Sequence, residues 1–108
     1  MKDFYLWAML LYNETVGIDK EIELEWLQWM KEVGVPKTMN TGLFLSWKIY
    51  KVLHDDNEGS VSYSVQYFAE RIEHVTLFFD KFAPSLMEEH RLRFQDRHVA
   101  FRTLLEEV

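Results

Sequence analysis

The chain has 108 residues, of which 48% are hydrophobic, 16% aromatic and 28% charged. At this length about 6,400 Å² of surface should remain from roughly 19,000 Å² in the unfolded chain, which allows one core but not two. The absence of cysteine excludes a disulfide scaffold, a thiolate metal site and a cysteine nucleophile, and a formal charge of −6 argues against a phosphate-neutralising nucleic-acid surface.

The chain opens on a nine-residue apolar run, Phe4 to Tyr12. A bilayer span needs roughly 20 residues, so this run does not cross a membrane. It also lacks the charge bias and cleavage pattern of a secretory leader, since Lys2 is offset by Asp3. A cytoplasmic location is therefore expected. Met9 is an alternative start, which makes residues 1–8 an optional extension of a single domain over residues 1–108.

Residues 8–16, bounded by Gly17 and Asp19, read as a strand. Asp19 then suits an N-cap, and Glu21, Glu23 and Glu25 sit where the helix dipole favours acids. Ile22, Trp26, Trp29, Met30 and Val33 follow the helical period. This predicts an amphipathic helix over 20–33, closed by Gly34 and blocked by Pro36. Both tryptophans are assigned to core.

A turn over 37–42 leads into a second strand, Leu43 to His54. Leu43, Leu45, Trp47, Ile49 and Leu53 are expected on its helix-covered face. Phe44, Ser46, Lys48, Tyr50 and Val52 are expected on the other. The acidic segment Asp55–Gly59 predicts a hairpin turn. Ser60 to Phe68 alternates again, with Val61, Tyr63, Val65 and Tyr67 sharing a face. Residues 71–95 read as helix, with a stripe of Ile72, Val75, Phe79 and Phe82 that continues at Leu86, His90 and Phe94. Pro84 is expected to interrupt it. His98 to Val108 forms the last strand.

The order β-α-β-β-α-β predicts a ferredoxin-like α+β fold: a four-stranded antiparallel sheet with both helical segments on one face. Several of Tyr12, Phe44, Tyr50, Tyr63, Tyr67 and Phe101 are expected to crowd the helix-free face. Burying them would take a homodimer that stacks sheet on sheet.

Several segments carry a family resemblance: Leu11-Tyr12-Asn13, Thr41-Gly42-Leu43-Phe44, Tyr63 to Phe68, Ala83-Pro84-Ser85-Leu86 with Glu89-His90 and Arg93-Phe94, and Val99 to Leu104. Together they resemble a short bacterial domain-of-unknown-function family, over about residues 9–107. The resemblance implies a fold near the dimeric α/β-barrel group, which includes antibiotic-biosynthesis and haem-degrading monooxygenases and muconolactone-isomerase-like proteins. It carries no mechanism. The haem-degrading members use an Asn on the first strand, a Trp on a later strand and a His on the second helix. Asn13 with His74 or His90 would fill two of these roles, but the third strand has no Trp, so haem cleavage is not expected.

Candidate chemistry centres on His90, on the apolar stripe, as a general base or ligand donor, or else as a core histidine bonded to a neighbour. Arg102 lies mid-strand. It would grip a carboxylate, or simply pair with Glu14 on a neighbouring strand. Asn13, Tyr63, Gln66 and Tyr67 would complete a polar-aromatic ligand pocket, or a wet dimer interface. No metal site is expected, since His54-Asp55-Asp56 are adjacent and no ligand spacing recurs. No cofactor is expected either. The favoured reading is a dimeric, non-catalytic domain that binds a small molecule or a protein. The alternative is a cofactor-independent monooxygenase- or isomerase-like enzyme acting between sheet and helices.

Overall fold

The computed structural model describes residues 9–54 and 58–108. The first eight residues, and Asp55 to Asn57 of the expected hairpin turn, lie outside the described residues.

Four strands form one antiparallel sheet in the order β2-β3-β1-β4: β1 Leu10–Asp19, β2 Ser46–Lys51, β3 Ser60–Ala69 and β4 His98–Glu106. Helices α1 (Glu23–Trp29) and α2 (Val35–Met39) follow β1, and α3 (Ile72–Lys81) and α4 (Ala83–Phe94) follow β3. This is the ferredoxin-like plan, with two helical segments against one sheet face.

The strand faces follow from the register. Tyr12 pairs with Tyr67 and Leu104, and Val16 with Tyr63 and Ala100. One face of β1 and β3 therefore presents Leu10, Tyr12, Val16, Ile18, Val61, Tyr63, Val65, Tyr67 and Ala69 to the helices, and all are buried. Trp26, Met30, Val35, Val75, Phe78, Ala83 and Phe94 close the core from the helical side.

Three expectations need correction. First, Tyr12, Tyr63, Tyr67 and Phe44 do not crowd the helix-free face. They are buried beneath the helices, because the β-period puts the tyrosines in step with Val16 and Val65. Phe44 precedes the regular part of β2, so strict alternation does not govern it. It stacks on Tyr12 with ring centroids 6.2 Å apart, packs at a tilt against Tyr67 at 5.3 Å, and meets Phe78 edge-on at 5.0 Å.

Second, the first helical segment does not stop at Gly34. Met30–Gly34 forms a π turn, in which the Val35 N–H reaches back to the Met30 carbonyl, and α2 continues through Pro36 to Met39. The wider turn has already slipped the hydrogen-bond ladder, so the missing proline N–H breaks no regular bond. Gly34 is needed for close approach rather than for a left-handed conformation: a Cβ there would lie 2.9 Å from the Trp29 ring and 3.0 Å from the Met30 sulfur.

Third, the stripe of α3 runs through Val75 and Phe78, with Phe79 half-buried, whereas Ile72 and Phe82 are exposed. Phe82 falls at the break between α3 and α4, where Pro84 occupies the first turn of α4. The interruption lies where the sequence put it, and Phe82, at the junction of the two helices, is left exposed.

Candidate functional site

Between α4, α2 and the sheet lies an open cavity of about 120 Å³. Its apolar wall comes from Trp29, Met30, Phe78, Ala83, Leu86 and Met87, and its floor from Tyr12, Tyr67 and Ala100. Glu14, Lys37, Glu89, His90, His98 and Arg102 supply the titratable groups.

His90 projects from α4 toward Trp26 on α1. The Trp26 indole Nε1–H donates to His90 Nε2 at 2.9 Å. Trp26 is itself fully buried and lies 5.2 Å from the Tyr63 ring. Burial, and then the neighbouring His98, push His90 down to about 4. At neutral pH it is an uncharged imidazole. With Nε2 accepting, its single proton sits on Nδ1. Such a group can donate a hydrogen bond, but it makes a poor general base.

His98 opens β4 opposite Ile18 of β1. Its ring stands 4.5 Å from that of His90, edge to face. Its Nδ1 is buried and has no hydrogen-bond partner among the described residues. The chain reaches this position through Gln95, which ends α4 with φ 44°. A non-glycine residue rarely adopts that conformation, and it reverses the chain tightly enough to set His98 under His90.

Arg102 lies opposite Glu14 in the β1–β4 register, with its Nε 3.6 Å from the carboxylate. The pairing with Glu14 is therefore present. Glu14 also accepts from the Tyr12 hydroxyl at 3.1 Å. The guanidinium lies against the Met87 sulfur and 5.9 Å over the Phe79 ring, at the mouth of the cavity. Its five N–H donors greatly outnumber these contacts. On the helical side, Lys37 and Glu89 bridge α2 and α4 at 2.9 Å. The other arginines of this stretch are paired as well: Arg91 with Glu88, Arg93 with Glu25, and Arg97 with Asp19 and Glu21. The stretch is a mixed, charge-compensated surface.

The sequence candidates divide in two. Tyr67, His90 and Arg102 line the cavity together. Tyr67 is deeply buried, which raises its hydroxyl well above the ordinary phenol range, while a hydrogen bond with Thr38 works the other way. Tyr63 shares that face but not the cavity. Its hydroxyl bonds the Glu23 carboxylate, which Lys51 also holds at 2.9 Å. These two partners keep Glu23 below the usual carboxylate range.

Asn13 and Gln66 lie on the opposite, helix-free face, because they alternate with Tyr12 and Tyr67. There, Gln66 Nε2 donates to Ser64 Oγ at 3.1 Å, Ser64 Oγ to Asn13 Oδ1 at 2.5 Å, and Asn13 Nδ2 to Thr15 Oγ1 at 3.0 Å. A single pocket of all six residues is thus ruled out by the pleat. The sequence reading missed His98 and Glu14 as site members. Both were visible as polar residues in phase with Tyr12 or Arg102. Among the described residues, no group of three or more His, Asp or Glu converges to hold a metal.

Solved structures with this architecture share little sequence with the chain. An ethyl tert-butyl ether D family protein from Bacillus halodurans superimposes with a TM-score of 0.67 at 9% identity, over 92% of this chain and 99% of its own. A dimeric ferredoxin-like protein from an uncultured marine organism gives 0.57 at 12% identity, over 94% and 96%. A de novo designed protein gives 0.57 at 11%, over 90% and 96%. At such identities the likeness concerns the fold alone. No curated protein matches the chain. The family model for a domain of unknown function, DUF4286, matches residues 9–108, and the chain belongs to that family.

Proposed function

We propose that the chain is a single domain that works as a homodimer, joined through its helix-free sheet face, and binds a small organic molecule in the cavity beneath α4 without transforming it. The observation that carries the binding reading is the cavity itself: apolar walls, two imidazoles within and an arginine at the mouth. Ligand sites have this composition, mostly apolar with a few directed polar groups.

Three features support the dimer. The helix-free face exposes Val99, Phe101 and Leu105 of β4 and Tyr50 of β2. Its strand positions carry only two charges, Asp19 at the end of β1 and Lys48 on the edge strand β2. Interface cores are depleted of charge in the same way. Its central polar groups already pair with one another, from Gln66 through Ser64 and Asn13 to Thr15, which lowers the cost of burying them.

The slab measures 49 × 30 × 19 Å with a radius of gyration of 14.8 Å, against about 13 Å for a compact chain of this length. A second copy would turn this thin, one-sided sheet into a four-layer body. Strands spaced about 4.8 Å apart and up to ten residues long offer roughly 600 Å² in plan. Side-chain relief brings this toward the ~800 Å² per partner of a stable interface. The dimeric ferredoxin-like relative in fold is consistent with such an assembly.

The alternative is a cofactor-independent enzyme in the same cavity. It would need a base other than His90, whose Nε2 is committed to Trp26.

Light scattering tests the assembly. The wild type is expected at twice the chain mass at micromolar concentration. Phe101→Asp, which sets like charges across the two-fold, is expected to yield monomer with unchanged far-UV circular dichroism. A wild type that remains monomeric overturns the dimer.

A further inference from the structure

Resting on the binding reading above, we propose that His98 is the polar anchor of the cavity, and that the ligand is a single-ring compound carrying a hydroxyl for His98 and an acid group for Arg102. Buried polar atoms in folded proteins almost always have a partner, so a buried imidazole nitrogen without one marks a place where something is missing. His98 Nδ1 is such an atom among the described residues; it has no surface open to the cavity as it stands, so the imidazole turns to present it to a ligand. His90, the neighbouring imidazole, already has a partner in Trp26 and is set as a neutral donor.

The size of the cavity limits the ligand. At about 120 Å³ its sheltered part matches one six-membered ring, by comparison with the roughly 150 Å³ apolar cavity known to admit benzene. The wall offered to that ring is Trp29, Met30, Leu86 and Phe78. The polar requirement selects a hydroxyl. His98 Nδ1 is an acceptor or a donor according to its tautomer, and a hydroxyl answers both with a single atom.

The acid group follows from Arg102. Ala100 separates His98 from Arg102 on the same face of β4, and its small side chain leaves the floor open between them. Arg102 has a single carboxylate near it, at 3.6 Å, and is 40% exposed. Its remaining donors are free to take a second carboxylate in the fork geometry that guanidinium favours. Glu14 would stay on the Nε side, and the ligand would take the terminal nitrogens.

The experiment is a binding measurement, by calorimetry or thermal shift, with three probes: 4-hydroxybenzoate, benzoate and phenol. Wild-type protein is expected to bind 4-hydroxybenzoate about tenfold more tightly than benzoate, the difference being one hydrogen bond in a water-poor site. His98→Phe, which keeps a ring of similar size, is expected to abolish that preference while leaving benzoate affinity within about twofold. Arg102→Met is expected to abolish the preference of either acid over phenol.

If all three probes bind but His98→Phe keeps the preference for 4-hydroxybenzoate, the anchor is overturned and a bound water is the partner of Nδ1. If no probe binds the wild type, the acid class proposed here falls. If, in addition, a panel of neutral single-ring compounds leaves the melting temperature unmoved, the binding reading falls with it. Melting of each apo variant, read alongside, separates loss of binding from loss of fold.

Discussion

Trp26→Ala is expected to lower the unfolding free energy by about 3–5 kcal/mol, the cost typical of truncating a large buried aromatic. Trp26 is fully buried at the crossing of α1, α4 and β3, with Tyr63 against one side of its ring and His90 at the indole nitrogen. Two losses combine. The cavity removes dispersion contacts that neighbours cannot restore by collapse, and His90 Nε2 is left unpaired in a desolvated position. Trp26→Phe separates them. It keeps most of the packing, and is expected to cost about 1–3 kcal/mol, largely from the unmet acceptor. Urea denaturation of both variants checks the ordering. Equal losses would show that the hydrogen bond, and not the packing, accounts for the effect.

The second large effect is on pH dependence. The unfolded chain takes up a proton on His90 near the ordinary histidine value of 6.5, whereas the folded chain resists until about 4. Between these values the unfolded state binds more protons, so stability rises with pH across the window. It is fully present above about 6.5 and is lost as pH falls toward 4. The cause is burial first and the proximity of His98 second. The charged groups around the cavity form two pairs, Glu14 with Arg102 and Lys37 with Glu89, so neither side of the ring faces a lone carboxylate that would hold a proton on it. The contribution is about 3 kcal/mol. His90→Gln, which retains an acceptor for Trp26, is expected to flatten the slope of stability between pH 4 and 6.5 relative to wild type. Denaturant midpoints at four or five pH values read this directly. A slope unchanged in the variant would assign the pH dependence to other groups.

How much of this was legible in the sequence depended on which signal was strong. The alternation of Ser60 to Phe68 gave β3 and its faces, because small polar and large apolar residues strictly alternate. The same alternation in β1 is carried by Tyr12, and a tyrosine reads as comfortably at a wet interface as in a core. That ambiguity sent Tyr12, Tyr63 and Tyr67 to the wrong face in the argument for a dimer. The case for a dimer now rests on Val99, Phe101 and Leu105, and on the scarcity of charge around them. Pro84 marked its break, but Pro36 marked none, because a proline in the first turn of a helical segment looks the same in sequence as a proline that ends one. Turn chemistry hid His98: Gln95 adopts a positive φ without being a glycine, so nothing announced that the chain would double back beneath His90. Arg102 and Glu14 were recognisable as a cross-strand pair once the strand order was assumed.

The π turn has one further consequence. The inward-facing residues of the first helical segment are Trp26, Met30, Val35 and Thr38, so a step of five follows a step of four. A regular helix repeats at 3.6 residues and does not accommodate that step without drifting off the sheet. The turn therefore holds one residue more than the face requires, and the surplus is taken up at exposed Lys31 and Glu32. Deleting Glu32 would bring the same four side chains to steps of four, four and three, the spacing of an uninterrupted α-helix. This stretch of the chain is thus permissive to a change in its own length: a homologue one residue shorter here is expected to keep the core and to replace the π turn with an ordinary one.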